Sequence, residues 1–423
     1  MSEILQLLRS VLAGVPSLLL NPVAFPFFWI VVVLVGYQSR RVAENERQIY
    51  GVAKNRVWRQ VAVSVVFGLL GGILASLLMA FVGVSLTGTG VYWLLPLALL
   101  LMAISPRLMC FSYAGGIVSS SYLVFGWPKV HVPSLMALVA VLHVTESLLI
   151  MMRGASCATP LVVRGPSGGG NRPGFMLQGF WPLPLLLLFI VTLPPEASRE
   201  GLLEMPSWWP LIVPPGDVAS QPNAVFTLFP VAAVLGYSDL ATRVRPVQKA
   251  RRSALALAAY SVVLLLLAIA ASRTPVLVWL AALWGPFGHE LVIRAGTRGE
   301  FRGPPALQQE DGGLTVLDVL PGGGADRGGI RSGDVLLSVG GAPATDAAAV
   351  EDALLTGTRP FSVVYRRDGR EREAYVDGQA DAEGGRPRLG IIPLPPEDDP
   401  PQVEIRTRGP GCSFLGRLFR RKA

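Results

Sequence analysis

The fold of this chain is decided by Leu314-Thr-Val-Leu-Asp-Val319, then Leu320-Pro-Gly-Gly-Gly-Ala-Asp326, then Gly329-Ile-Arg-Ser-Gly333-Asp334-Val-Leu-Leu-Ser-Val-Gly340-Gly341. Runs rich in Val and Leu, bounded by glycines, predict strands at 314–319 and 334–339. The small residues between them predict a loop with a short helical turn near 325–329. This segment is polar enough to fold in water, whereas most of the chain before it is strongly apolar.

A helix and a hairpin complete the polar segment. Helix 346–355 has Thr345 or Asp346 as its N-cap and Gly357 as its stop. Residues 361–376 alternate in polarity around an Asp-Gly pair, which is typical of a two-residue hairpin turn. The sequence therefore predicts a small α/β module.

This module resembles a bacterial PDZ domain. The resemblance rests on Pro321-Gly, on Gly329-Ile and on the turn Gly333-Asp334 before the second strand. It implies a module that binds protein segments and catalyses no reaction, in which Gly329, Gly333 and Asp334 shape the entry to that strand. An unrelated small α/β domain is the alternative.

The peptide-binding edge is displaced from its usual place in the sequence. PDZ domains add a peptide as an extra strand and hold its terminal carboxylate with backbone amides of a Gly-containing loop. That loop usually precedes the first strand, but residues 306–313 contain no Leu-Gly-Ile. The sequence Leu389-Gly390-Ile391 follows the hairpin and suits a circularly permuted order, so we predict it as the binding edge.

Val350 and Leu354 lie one turn apart on the helix and would form the facing wall of the groove. Two alternatives stay open. Both residues are equally suited to a purely structural core, and Asp311-Gly-Gly is a second candidate for the carboxylate-binding loop.

Composition predicts a membrane protein. Of the 423 residues, 51% are hydrophobic and only 16% are charged, and the mean hydropathy is +0.48. The three cysteines show neither metal nor disulfide spacing. The formal charge of +8 is explained by basic loops facing anionic lipid, so we expect no nucleic-acid partner. No cleavable signal peptide is evident.

Nine apolar stretches are candidate spans, although several are near or below the roughly 20 residues that a helix needs to cross a bilayer. The candidates are 21–37, 61–84, 89–105, 108–127, 132–152, 180–195, 223–238, 253–272 and 275–294. The predicted fold class is an α-helical polytopic membrane protein with about eight to nine transmembrane helices and a small C-terminal cytoplasmic α/β PDZ-like domain.

Five segments follow from this reading. They are an interfacial amphipathic segment at 1–20, a polytopic transmembrane domain at 21–295, a linker at 296–309, the PDZ-like module at 310–392 and a disordered tail at 393–423. The tail ends in a basic amphipathic stretch, in which Phe414, Leu415, Leu418 and Phe419 alternate with Arg417, Arg420, Arg421 and Lys422. That pattern favours anionic lipid, and a solvated tail is the alternative.

The distribution of Lys and Arg predicts the orientation. Basic loops alternate with loops poor in cations: the basic ones hold Arg40, Arg41, Arg47, Lys54, Arg56 and Arg59, then Arg153, Arg164 and Arg172, then Arg243, Arg245, Lys249, Arg251 and Arg252. Basic loops face the cytoplasm, so the module is predicted to be cytoplasmic. Trp208 and Trp209, in a proline-rich external loop, are expected at the level of the lipid headgroups.

Protease chemistry is not supported by the motifs. An intramembrane zinc protease needs two histidines four residues apart on a helix, but Gly288-His289-Glu290-Leu-Val-Ile293 has isoleucine at the second position. The glycine-rich loop around Ser167 is interpreted as a linker. We therefore predict no catalytic residues, no metal ligands and no cofactor, and a protein that is not an enzyme.

Four polar residues remain within the apolar stretches. His143 and Glu146 share one helix face, and His289 and Glu290 occur in a second span. Polar groups at membrane depth usually face the bundle interior, so we predict hydrogen-bonded contacts between these helices. A metal or proton site, or a transport pathway, is the alternative.

The order of motifs along most of the chain is similar to the MinJ-type membrane proteins of Gram-positive bacteria, which are cell-division topological determinants. The relevant elements are Arg40-Arg41, Cys110-Phe-Ser-Tyr113, His143-Val-Thr-Glu146, Trp181-Pro-Leu-Pro184, Gly288-His289-Glu290 and the terminal module. The resemblance implies a scaffold that links DivIVA-like proteins and the Min or divisome proteins at septum and poles. A membrane protease or protease regulator, or a transporter with a regulatory module, is the alternative.

Overall fold

The computed structural model describes residues 2–20, 25–50, 53–54, 56–164, 171–192, 209–214, 224–380 and 387–396. A helical body precedes the small module. Its helices are α1 (Ser2–Leu20), α2 (Pro26–Tyr50), α3 (Val57–Val82), α4 (Leu94–Ile104), α5 (Phe111–Phe125), α6 (Val132–Arg153), α7 (Pro246–Ala271) and α8 (Pro275–Glu300). Among the described residues, α3, α6, α7 and α8 are long and apolar enough to cross a membrane.

The prediction of eight to nine spanning helices is therefore wrong for the described part of the chain. Helices α4 and α5 have only 11 and 15 residues, fewer than the about 20 that a bilayer requires. The described parts of two further candidates, residues 180–192 and 224–238, are not helical and form β-strands. Apolar composition alone does not distinguish a buried strand from a buried helix, which explains the error.

These strands belong to a three-stranded antiparallel sheet inside the body. It consists of β1 (Thr159–Arg164), β2 (Asn171–Thr192) and β3 (Ala224–Ala241), in the order β1-β2-β3. The β2–β3 pairing runs without a register shift from Phe175↔Ala241 to Thr192↔Ala224. Pro182, Pro184 and Pro230 lie in these strands, and each would cost about 3 kcal/mol in a helix interior.

Helix α3 covers the edge of β2 that β1 leaves unpaired. Pro182 and Pro184 have no N–H groups to be satisfied on this edge. Farther along, the N–H of Leu186 donates to Ser76 Oγ (2.8 Å), and that of Ile190 donates to Thr87 Oγ1 (3.0 Å). Proline or a side-chain acceptor thus accounts for the edge positions 182, 184, 186 and 190 of β2.

The glycines of α3 allow this close approach. A Cβ atom at Gly68 would overlap the carbonyl oxygen of Pro182, and one at Gly72 would overlap that of Pro184. Together with Ser76, they form a stripe of small residues spaced four apart along the helix. Helix α3 therefore packs directly against the backbone of β2.

The helices and strands of the body extend between two opposite ends, which their contacts define. At the end that we call the module end, Lys54 Nζ donates to the carbonyl of Ala158 (3.1 Å), Arg172 donates to the carbonyl of Glu300 (3.2 Å) and Thr242 Oγ1 donates to the same carbonyl (2.8 Å). At the opposite end, α3 finishes and the backbone of residues 85–86 contacts Leu188 in β2. The module follows α8 and attaches at the first end.

The module contains the predicted two strands, helical turn, helix and hairpin, together with four short strands that were not predicted as such. They are β4 (Leu314–Val319), α9 (Gly324–Arg327), β5 (Val335–Val339), β6 (Ala342–Pro343), α10 (Ala347–Thr356), β7 (Phe361–Arg367), β8 (Arg370–Val376), β9 (Gln379–Ala380), β10 (Pro387–Arg388) and β11 (Ile391–Pro393). The main sheet has the order β11-β4-β5-β7-β8. Asp346 caps α10 through Ala349 N (2.8 Å), and Asp368 and Gly369 take the positive φ values of the hairpin turn (52° and 74°).

One side of the module packs on the body. Leu317, Ile392 and Leu394 belong to the large apolar core of the body, and Lys54 forms an ion pair with Asp318 (2.5 Å). Since Leu394 is buried, the packed segment continues two residues beyond the predicted boundary at 392.

The linker predicted at 296–309 begins later in the structure, because α8 continues to Glu300. Residues 1–20 contain helix α1, whose Leu7, Val11 and Val15 pack with Leu186 and Leu188 of β2. Its position at a membrane surface stays a prediction. The basic end of the tail, the segment around Ser167 and Trp208 lie outside the described residues.

Candidate functional site

The turn before β5 is fixed by an ion pair. Asp334 is only 2% exposed, and Arg367 of β7 donates to both of its carboxylate oxygens (2.7 and 2.6 Å). Asp334 also accepts from Arg331 N (2.7 Å), while Arg367 donates to the carbonyl of Gly329 (2.6 Å). The hydrogen bonds to Asp334 raise the pKa of Arg367 above its usual range. Gly329 and Gly333 have φ values of 76° and 92°, as the predicted structural turn requires.

The strand β11 lies at an edge of the module's sheet. Gly390 accepts from Leu320 N (2.8 Å), and Ile391 lies opposite Val319 in the antiparallel register. In such a ladder hydrogen-bonded pairs alternate with pairs whose backbone groups point outward. The N–H and C=O groups of Ile391 therefore point away from β4, where an added strand would pair with them.

The other predicted groove residues are in contact with the module's core. Leu389, Val350 and Leu354 belong to one apolar cluster and are 2%, 5% and 5% exposed. Gly390 has a φ of 81°, and a Cβ atom at this position would lie 3.3 Å from the Cα atom of Gly323. These residues line the inner side of the β11 edge, and their burial is equally compatible with a structural role.

The alternative carboxylate-binding loop is elsewhere. The carbonyl of Asp311 accepts from Arg366 of β7 (2.9 Å), and β7 is separated from β11 by β4 and β5. We therefore retain the Leu389-Gly390-Ile391 edge as the candidate peptide site.

A second candidate site lies within the body. The rings of His143 on α6 and His289 on α8 meet edge to face, with centroids 5.2 Å apart. Both side chains are buried, as expected for polar groups that face a bundle interior. The two helices therefore meet at the histidines through a ring contact and not through the predicted hydrogen bond.

The glutamates have other environments. Glu290 accepts from Tyr113 Oη (2.5 Å), pairs with Arg107 (3.2 Å) and pairs with Arg294 (2.6 Å). Among the residues described, Glu146 forms no hydrogen bond with either histidine. The four predicted residues thus do not make one network.

Sequence reasoning missed the third member of the histidine cluster. Cys110 Sγ lies 3.0 Å from Nε2 of His143 and 3.6 Å from Nε2 of His289. The cysteine is 33 and 179 residues away from these histidines, so no local spacing links them. Potential ligand atoms from all three residues lie within 4.8 Å of one another.

Comparison with known proteins identifies the module and not the whole chain. The sequence model of the PDZ domain family matches residues 315–367, which include β4, β5, α10 and β7. These residues form a PDZ domain. No curated protein matches the chain.

Proposed function

We propose that this protein is a membrane-embedded adaptor, which recruits cytoplasmic proteins through its PDZ domain. The observation that carries the proposal is the outward-facing backbone of Ile391 in β11, at an edge of the domain's sheet. PDZ domains act by strand addition at such an edge. The protein would bind its partners and catalyse no reaction on them.

Insertion in a membrane is supported by helices α3, α6, α7 and α8, which have the length and hydropathy of spanning segments. Large apolar side chains also lie on the outside of the body, among them Leu70, Leu255, Leu266 and Leu291 at 53%, 62%, 61% and 63% exposure. In water such a surface would drive association, whereas lipid is a suitable environment for it.

The cytoplasmic side of the module is supported by the basic residues near it. Lys54 contacts the module directly through Asp318, and Arg172 donates to the carbonyl of Gly303 in the connecting segment (2.6 Å). Lys249 lies near the same end and pairs with Glu300 (3.6 Å). Because basic loops stay in the cytoplasm, a module among them would lie there too.

The binding edge can be tested with a proline that removes one hydrogen-bond donor. Ile391→Pro deletes the outward N–H group, whereas the control Ile391→Ala keeps it and loses only side-chain contacts. We expect site-specific photo-crosslinking in cells, from a probe at Arg388, to capture a cytoplasmic protein in the Ala variant. In the Pro variant that product should fall by at least about 90%, as a tenfold weaker complex would give at low occupancy.

A probe at Tyr375, which is exposed on β8 at the other end of the sheet, is the positional control. Equal capture in the Pro and Ala variants, with the module still folded, would remove β11 as the recruiting edge.

The cellular role is proposed from the similarity to MinJ-type proteins. The adaptor would act in division-site selection or in the organisation of septum and poles, with DivIVA-like and Min or divisome proteins as partners. A fluorescent fusion is expected at septa and poles, and its position should depend on a DivIVA-like protein. A uniform membrane signal together with normal septum placement after deletion would argue against this role and leave the peptide-binding proposal standing.

A further inference from the structure

The cluster of Cys110, His143 and His289 has the composition of a metal site. Cys110 precedes α5, His143 lies in the middle of α6 and His289 lies in α8, so each ligand comes from a different part of the body. Thiolate and imidazole are the ligands that zinc prefers in proteins. The cluster lies among apolar residues, with His143 and His289 3% and 9% exposed.

Hydrogen bonding fixes the orientation of His143. Its Nδ1 lies 2.7 Å from the carbonyl oxygen of Val139. A carbonyl can only accept, so Nδ1 carries the proton and the lone pair of a neutral ring is on Nε2. That atom points at Cys110 Sγ (3.0 Å). A backbone acceptor on the far nitrogen is the usual support of a metal-binding histidine.

His289 is incompletely satisfied by protein groups. Its Nε2 reaches the same sulfur at 3.6 Å, and its Nδ1 is buried with no hydrogen-bond partner among the residues that the structure describes. The Cys110 thiol can donate its one proton to Nε2 of His143, and its sulfur can accept a weak hydrogen bond from Nε2 of His289. Among the described residues, hydrogen bonding therefore leaves Nδ1 of His289 as the ring nitrogen without a partner.

A single metal ion would be ligated by Cys110 Sγ and by Nε2 of both histidines. With Zn–S near 2.3 Å and Zn–N near 2.05 Å, tetrahedral angles put sulfur and nitrogen ligands about 3.6 Å apart. The separation of 3.6 Å to His289 matches this value, and the 3.0 Å to His143 is shorter, so zinc binding would move these two side chains apart by roughly 0.6 Å. The N–H of Ser112 donates to Cys110 Sγ (3.4 Å), and such a contact favours negative charge on the sulfur.

Neighbouring side chains hold the cluster in place without competing for it. The ring of Tyr113 packs edge-on against His289, and that of Tyr260 packs against both histidines, with centroids 5.3 to 5.7 Å apart. Tyr113 Oη donates to Glu290, and Tyr260 Oη donates to the carbonyl of Gly285 (2.9 Å). Both phenols thus have partners of their own.

We propose that Cys110, His143 and His289 are the protein ligands of one zinc ion, whose fourth position is open to water or a small ligand. Three protein ligands with one open position are typical of zinc sites that act on a bound molecule, whereas purely structural sites usually have four. The ion would also connect α5, α6 and α8 through their side chains. The site is independent of the PDZ domain and of the proposed recruitment.

Metal binding by the full-length protein in detergent tests the proposal. After removal of adventitious metal, we expect one equivalent of zinc per chain. Zinc X-ray absorption should show one sulfur near 2.3 Å and nitrogen or oxygen ligands near 2.0–2.1 Å. Cobalt(II) should give a sulfur-to-metal charge-transfer band. These measurements use the unchanged protein and do not depend on the folding of a variant.

The variants Cys110→Ser and His289→Asn should each weaken zinc binding at least about 100-fold. The matched controls are Cys157→Ser and His131→Asn, which change the same residue types outside the cluster. The proposal is overturned if the purified chain binds no stoichiometric zinc, if only copper(I) binds, if X-ray absorption shows no sulfur ligand, or if the ligand variants bind zinc as tightly as the controls.

Discussion

At the scale of single residues, Asp334 determines how the PDZ domain enters β5. Its carboxylate joins the backbone of Arg331 to the guanidinium of Arg367, which in turn holds the carbonyl of Gly329. Both partners are largely removed from water, with side chains 2% and 17% exposed. A bidentate pair in such a position contributes to stability, whereas one partner left alone is a cost.

We expect Asp334→Asn to destabilise the domain by about 1.5–3 kcal/mol, because the amide cannot accept both guanidinium bonds. Hydrogen exchange of the β4 and β5 amides in the full-length protein should become correspondingly faster. Glu373→Gln is the control, since Glu373 accepts a hydrogen bond from Ser362 on the exposed face of the hairpin. If both variants exchange alike, the buried pair is not the determinant of this turn.

At the scale of elements, the contact of α3 with β2 explains how a sheet is accommodated within a helical body. The unpaired edge of a strand must be bonded or covered when no water reaches it. Here prolines remove two donors, Ser76 accepts another and glycines let the helix approach the strand backbone. The same contact makes α3 intolerant of larger side chains.

Gly72→Ala should destabilise the protein by about 1–3 kcal/mol, because the new methyl group overlaps the backbone of Pro184. Alanine alone would favour the helix by up to about 1 kcal/mol. Gly36→Ala in α2 is the control: its Cβ would meet Val61 at an ordinary 3.9 Å. Thermal unfolding in detergent should show a lower midpoint for the first variant only. A midpoint for Gly72→Ala equal to or above that of the unchanged protein would contradict the close packing.

At the scale of the whole molecule, the PDZ domain is docked by a small number of groups. Leu317, Ile392 and Leu394 enter the core of the body, Lys54 pairs with Asp318, and Ala306 N donates to the carbonyl of Thr242 (2.7 Å). A cavity of about 660 Å³ separates other parts of the two surfaces. Removing one of these contacts should therefore weaken the docking of the domain on the body.

Lys54→Ala should weaken docking by about 1.5–3 kcal/mol, because Asp318, only 9% exposed, loses its charged partner. Hydrogen exchange of the Leu394 amide, which donates to the carbonyl of Thr315 in β4, should become faster. Arg366→Ala removes an ion pair with the exposed Glu310 and an exposed hydrogen bond to the carbonyl of Asp311, and it should change stability by no more than about 1 kcal/mol. Adding Asp318→Ala to Lys54→Ala should restore part of the loss, and a further loss would contradict the pairing.

The sequence by itself determined the local features of this protein. Glycines at 329 and 333, the Asp-Gly turn and the alternation of the hairpin each depend on neighbouring residues, so the PDZ domain and the order of its elements were predictable. The apolar stretches predicted long buried segments for a similar reason. Hydropathy, however, measures only how strongly a segment prefers an apolar environment to water. It does not reveal which groups form hydrogen bonds with the backbone of that segment.

Tertiary structure alone decided three matters. Residues 180–192 and 224–238 form strands because each segment supplies hydrogen-bond partners for the backbone of the other. The packing of the domain on the body depends on Lys54 and Asp318, which are 264 residues apart. Cys110 joins two histidines because helices from distant parts of the chain converge there. Such contacts depend on how elements pack in space, which the spacing of residues along one element does not encode.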